Sequence, residues 1–307
     1  MNTFFCRAFQ CCFAVGARFL PWRTPEVFSG EGSLLRAADI LRENGLRRPF
    51  VIASRRQCAD EHFRALQEKL DEQDILLSIF SSVEPNPSVE TVEKIAAQYK
   101  IDSCDCFLVI GGGSPMDALT HAVEAYLSRF YNTKQTRLLA ENAVVTIFTH
   151  LERAYRDGTS LPDRAAMLQA SFDAGAAFTR ASVGNVHAIA HTLGGLYGVP
   201  HGLANAVLLP LVLEDYGKAA CPRLARLAAL VGLKGDTEEV RAKAFIAEIR
   251  AMNARMGIPD RFDCIRKEDI PLMSKWAAQE ANPVYPVPVI YDEARFARVI
   301  ERSHHSQ

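Results

Sequence analysis

The chain has 307 residues, nearly half of them apolar and 23% charged, with a formal net charge of −1. This is the composition of a globular protein long enough for two cores, and its balanced charge argues against nucleic acid or an anionic membrane as a partner. Eight cysteines with no C-x-x-C pair and no framework spacing read as reduced thiols in a cytoplasmic protein.

Residues 1–22 are apolar, carry Arg7 and Arg18, and have no acid before Glu26. The segment suits an Arg-bearing transit sequence, or, the reading preferred here, a helix docked on the body through Phe4, Phe5, Phe9, Phe13 and Phe19. No later run is long and apolar enough to span a bilayer. Residues 24–114 alternate between strand and helix: Phe50–Ser54 a strand, Asp60–Leu70 a helix, Ile75–Phe80 a strand. Pro85-Asn86-Pro87 is a turn, Ser88 caps a helix through about Tyr99, and Cys106–Ile110 is a third strand. Such alternation predicts a parallel sheet with ligands beyond the strand carboxyl ends.

Gly111-Gly112-Gly113-Ser114 stands at one such end, and Pro115 suits the first turn of a helix. Strand, glycine turn and helix N-terminus together present free backbone N–H groups to a phosphate, though a glycine triplet is more often only a turn. Asp117 and His121 follow, four apart on one helix face. That spacing suits a surface ion pair as well as a pair of metal ligands.

From Pro115 onward the periodicity is helical, with candidates Pro115–Phe130, Thr133–Arg156, Pro162–Ala181, Val186–Tyr197, Leu203–Tyr216, Thr237–Met256, Lys267–Glu280 and Asp292–Arg302. His187 and His191 share a helix face, and His201 sits at the turn into the next helix. An H-x-x-x-H pair in an apolar helix can be two core histidines. The third histidine and the Asp117–His121 pair favour a metal. The residues inside the motif are Ala-Ile-Ala, so the glutamate base of an H-E-x-x-H protease is absent, which ranks a hydrolase last.

With Asp-Ala-Leu-Thr-His-Ala-Val-Glu-Ala-Tyr at 117–126 and His-x-x-x-His-x9-His-Gly at 187–202, the sequence resembles the iron-containing (group III) alcohol dehydrogenases. The likeness extends to Pro25–Gly32, Pro85–Pro87, Gly111–Asp117 and Asn282–Pro288. The resemblance fits an N-terminal segment and a truncated Rossmann-like parallel α/β domain within 1–114, the α/β part over about 24–114, followed by an all-helical metal-binding domain over 115–307. It also implies a divalent metal, Fe(II) or Zn, on Asp117, His121, His187 and His201, with His191 as a catalytic residue near substrate and nicotinamide. Asn86, Gly112, Gly113 and Ser114 would face NAD or NADP, the substrate being a small alcohol or aldehyde.

The sequence departs from the family at one place. Asp117 ends the glycine motif and opens the helical motif at once, so the segment normally between them, with its T-T-x-x-G-T-[GA]-[SA]-E stretch, is absent. Ser54 followed by Arg55 and Arg56 replaces the strand-end acid that meets the adenosine ribose. The expectation is a family member with an internal deletion, whose cradle and metal ligands share one helix about 10 Å from Ser114 to His121. Turnover is expected to be weak or absent, leaving a metal-binding helical protein as the alternative function. Strands stripped of neighbours would expose apolar edges and favour self-association, a homodimer included.

Overall fold

The computed structural model describes residues 2–21, 23–84, 86–111 and 115–305. The chain divides into two compact units, Pro25–Gly112 and a helical unit made of the N-terminal segment through Thr24 with everything from Gly113 onward.

In the first unit, β1 (Pro49–Ile52) lies between β2 (Ser78–Phe80) and β3 (Cys106–Val109), all parallel. Parallel neighbours require helical crossovers, and α3 (Arg55–Cys58), α4 (Glu61–Asp71) and α5 (Val89–Ile101) provide them, with α2 (Arg36–Glu43) ahead of the sheet. Local chemistry sets the helix starts. Ser54 ends its strand early by capping α3, accepting from the Gln57 amide, and Asp60 caps α4. Ser88 caps α5, and Glu84 accepts from the Ser88 amide (3.0 Å) and the Thr91 hydroxyl (2.6 Å). Val51, Ala53, Phe63, Leu66, Leu70 and Ile75 form the core. On β3 the side chains alternate in burial. Phe107 is 54% and Val109 66% exposed, as expected for a sheet lacking neighbours on that side.

In the helical unit, α1 (Thr3–Ala17) docks on the body, with Phe13 the phenylalanine that meets it and polar residues doing most of the rest. Cys6 and Gln10 are the buried positions. Arg7 donates to the Pro288 carbonyl (3.0 Å), and the Gln10 amide donates to the carbonyls of Pro283 (2.9 Å) and Tyr285 (2.8 Å). Phe4 is 78% exposed, while Phe13 meets Tyr131 at 5.1 Å between ring centroids. Loop carbonyls buried beside α1 need donors, so polar residues set its docking.

The helices α6 (Pro115–Leu127), α7 (Lys134–Arg156), α8 (Leu161–Ala181), α9 (Asn185–Tyr197), α10 (His201–Tyr216), α11 (Cys221–Leu230), α12 (Glu238–Arg255), α13 (Ile270–Ala281) and α14 (Glu293–Arg302) follow. Among the described residues no strand follows β3. α6 is buried on nearly every side and α8 turns Ala170, Ala174, Ala177 and Ala181 inward, so small side chains let the helices approach closely. Three differences from the sequence reading have local causes. α6 stops at Leu127 because the Asn132 amide caps its last carbonyls at 2.8–3.1 Å. α10 begins two residues early, at His201, directly after Pro200. α11, absent from the reading, is a short segment whose Leu224, Leu227 and Ala228 face the core. Pro210, inside α10, has no N–H for the Ala206 carbonyl; the buried Asn253 side chain on α12 donates to it at 2.7 Å. No helix among the described residues is long and apolar enough to cross a membrane.

Candidate metal centre

Asp117, His121 and Glu124 stand at i, i+4 and i+7 on α6, one stripe of one helix. Opposite that stripe stands Gly184, the N-cap of α9, where a side chain would place its Cβ 2.7 Å from Glu124 Oε1 and push that carboxylate aside. α9 carries His187 and His191 and ends at Gly198, whose φ of 64° turns the chain left-handed before Pro200 starts α10 with His201. Three helices thus bring one carboxylate and two imidazoles, those of His187 and His201, to a common point.

The donor atoms of Asp117, His187 and His201 all lie within 4.8 Å of one another. Asp117 Oδ1 is 3.4 Å from His187 Nε2 and 3.4 Å from His201 Nε2. Ligands at about 2.1 Å on a tetrahedral ion sit about 3.4 Å apart, so the spacing suits a divalent cation. His121 is beside this group. Its ring stacks on His187 at 4.5 Å and on Phe178 at 4.0 Å, and its Nδ1 is 3.9 Å from Asp117 Oδ2. His191 also stands apart, with Nδ1 2.7 Å from Glu280 Oε1 while its ring stacks on His201 at 5.3 Å. Glu280 accepts from the Tyr285 hydroxyl as well.

Two residues not singled out in the sequence complete the cluster. Glu124, buried, has Oε2 2.6 Å from His187 Nδ1 and accepts from the backbone amides of Gly184 and Val186 at 2.8 Å each. Asn205, buried on α10, brings its side-chain Nδ2 to 2.6 Å from Asp117 Oδ1, 3.1 Å from His201 Nε2 and 3.3 Å from His187 Nε2, while its Oδ1 has no partner. One carboxylate oxygen with two ring nitrogens 3.4 Å from it makes a point that attracts positive charge once those nitrogens are free of protons. With the tetrahedral spacing, this is the fit a cation requires. Spacing held the signal for both residues, Glu124 seven after Asp117 and Asn205 four after His201. For Glu280, 89 residues from His191, there was none.

The electrostatics agree. Burial would raise the Asp117 carboxyl, but hydrogen bonds to His187 and His201 and the imidazoles around it hold it well below the usual carboxylate range. Burial and the neighbouring His187 push His121 down to about 4 against the pull of Asp117. Burial opposes charge on His187 too, yet Asp117 and Glu124 outweigh it and raise the ring to about 9. Of the coenzyme residues expected from the sequence, Gly112, Gly113 and Ser114 lie outside the described residues. Asn86 lies in the other unit, at φ 58°, two residues before the cap of α5.

Comparison with known proteins gives a consistent result. The profile described as Fe-containing alcohol dehydrogenase family, C-terminal, matches residues 113–296, and that described as iron-containing alcohol dehydrogenase matches residues 24–151. The 1,3-propanediol dehydrogenase of Klebsiella pneumoniae is 42% identical over 172 residues, 54% of this chain and 44% of that protein. The NADPH-dependent butanol dehydrogenase of Clostridium saccharobutylicum is 37% identical over 144 residues, 47% of this chain and 36% of that protein. The chain therefore spans about half the length of such relatives or less. Among solved structures, a 1,3-propanediol oxidoreductase superposes with a TM-score of 0.85 at 25% identity, covering 93% of this chain and 100% of that one.

Proposed function

Because the chain belongs to the iron-containing alcohol dehydrogenase family, we propose that it interconverts a small alcohol with its aldehyde or ketone, using a divalent metal and NAD or NADP. The observation that carries this reading is the convergence of Asp117, His187 and His201 at cation-binding distances. These three, with His121 beside them, would hold Fe(II) or Zn, a choice that the donor types leave open. When bound, the metal supplies Lewis acidity to the alcohol oxygen and the nicotinamide accepts the hydride.

The chain's own residues supply the rest. Asp117 brings the negative charge, and the buried His187 closes the inner side of the site. His201 and His191 are the more exposed imidazoles, so substrate enters on their side. Glu280 holds His191 by Nδ1, which leaves Nε2 as the ring atom to take or pass on the hydroxyl proton. We assign the coenzyme pyrophosphate to Gly112, Gly113 and Ser114, with Asn86 nearby, on the family resemblance. The eight free cysteines support a cytoplasmic setting, and the exposed β3 edge a homodimer.

A second reading, a metal-binding protein with little turnover, rests on the short sheet and on exposed Phe107 and Val109, where strands of a fuller cofactor domain would pack. The overlap of the two family matches at residues 113–151 supports the same internal deletion. Metal analysis of the purified chain, with oxidation of 1,3-propanediol and 1-butanol by NAD and NADP, separates the two. Bound metal with coenzyme reduction supports the dehydrogenase, and bound metal without it the second reading. A chain that takes up no divalent metal ends both.

A further inference from the structure

We propose that Glu124 is the positioning residue of the metal centre, fixing the His187 imidazole with its proton on Nδ1 and its Nε2 lone pair turned toward Asp117 and His201. This rests on the metal-site reading above. Three donors meet the Glu124 carboxylate: His187 Nδ1 at 2.6 Å and the Gly184 amide at 2.8 Å on Oε2, and the Val186 amide at 2.8 Å on Oε1. An ionised carboxylate only accepts, so the Nδ1 facing it carries the proton.

The opposite edge of the ring faces the donor group. Its Nε2 lies 3.3 Å from Asn205 Nδ2 and 3.4 Å from Asp117 Oδ1, so it becomes a ligand atom once a metal displaces any proton there. A neutral imidazole bound this way presents Nε2 as the ligand atom. The two backbone amides locate the carboxylate as firmly as the carboxylate locates the ring. They belong to the uncapped start of α9, where N–H groups lack helical partners and the helix dipole favours a negative charge. Gly184 is what lets Glu124 come this close. Glu124 thereby ties α6, which bears Asp117, to α9, which bears His187, and sets the angle at which their ligand atoms meet.

The test is Co(II) affinity, followed by visible d–d absorption and equilibrium dialysis, with far-UV circular dichroism as the check on folding. Glu124→Ala is expected to weaken Co(II) binding about 10–100-fold, the usual range for losing such a partner. In a His187→Ala background the same substitution should change the Co(II) Kd by no more than about twofold, because Glu124 acts through that ring. Should Glu124→Ala not fold, Glu124→Gln serves. It keeps the side-chain shape but turns one acceptor into a donor, so at least one of the three donors loses its partner and Co(II) binding weakens. Parent-like affinity in a folded Glu124 variant overturns the proposal, as does an equal loss with and without His187. A parent protein that binds no Co(II) overturns the metal reading itself, which keeps the two failures apart. In the Zn-bound parent, long-range 1H–15N spectra should show the His187 proton on Nδ1; a proton on Nε2 in that state also overturns the proposal.

Discussion

His191 and His201 stack on each other, yet only His201 joins the donor group, because Glu280 holds His191 by Nδ1. This separation predicts different outcomes for two similar substitutions. His201→Ala should lose bound metal, measured by elemental analysis after dialysis. His191→Ala should retain it, with Kd within about threefold of the parent and any coenzyme reduction cut by roughly 100-fold or more. Metal loss in His191→Ala would instead make that residue a ligand. The helix spacing put Asp117 with His121 and His187 with His191 on shared faces, while the meeting of Asp117, His187 and His201 was expected from the family resemblance alone. The standing of His121 was not legible: its spacing from Asp117 is equally good, but the ring lies flat between His187 and Phe178 rather than pointing at the donors. Stacking of this kind depends on α8, which no local pattern around residue 121 encodes.

Two elements depend on a single side chain at a critical point. In α10, Asn253 donates to the carbonyl that Pro210 leaves without a helical donor. Asn253→Ala should therefore cost about 1–3 kcal/mol in urea unfolding, the penalty for a buried group left without its partner. In α5, the Thr91 hydroxyl and, after it, the Ser88 amide hold the Glu84 carboxyl down to about 2, below its usual 4.5. A depressed carboxyl contributes its stability above about pH 4.5 and loses it as the pH falls through about 2. Glu84→Gln should accelerate amide exchange over Val89–Ile101 at pH 6, with the difference from the parent closing by pH 2. A difference undiminished at pH 2 would mean the charge is not responsible. α5 was readable from periodicity and its Ser88 cap, and α10 from its helical run though not its start. The end of β1 was not, because Ser54 continues an apolar run yet is drawn into a cap by Gln57, three residues on.

At the scale of the whole molecule, the change from strands to helices after β3 was plain in the sequence, since period-2 runs give way to helical stripes. The placement of the N-terminal helix with the helical unit was not, because it depends on Arg7 and Gln10 meeting loop carbonyls near residue 285. The exposed face of β3 was foreseen only through the missing segment, an argument about what the chain lacks. The meeting of α6, α9 and α10 at one point has a thermodynamic corollary. The unfolded chain cannot hold those donors together, so a cation that binds only the folded protein draws the equilibrium toward it by RT ln(1 + [M]/Kd), about 2.7 kcal/mol at a hundredfold excess over Kd. The melting temperature should then climb with the logarithm of free Zn concentration and fall back on addition of EDTA. A variant lacking His201 should show neither response, which makes a calorimeter a gauge of site occupancy even where no alcohol is turned over.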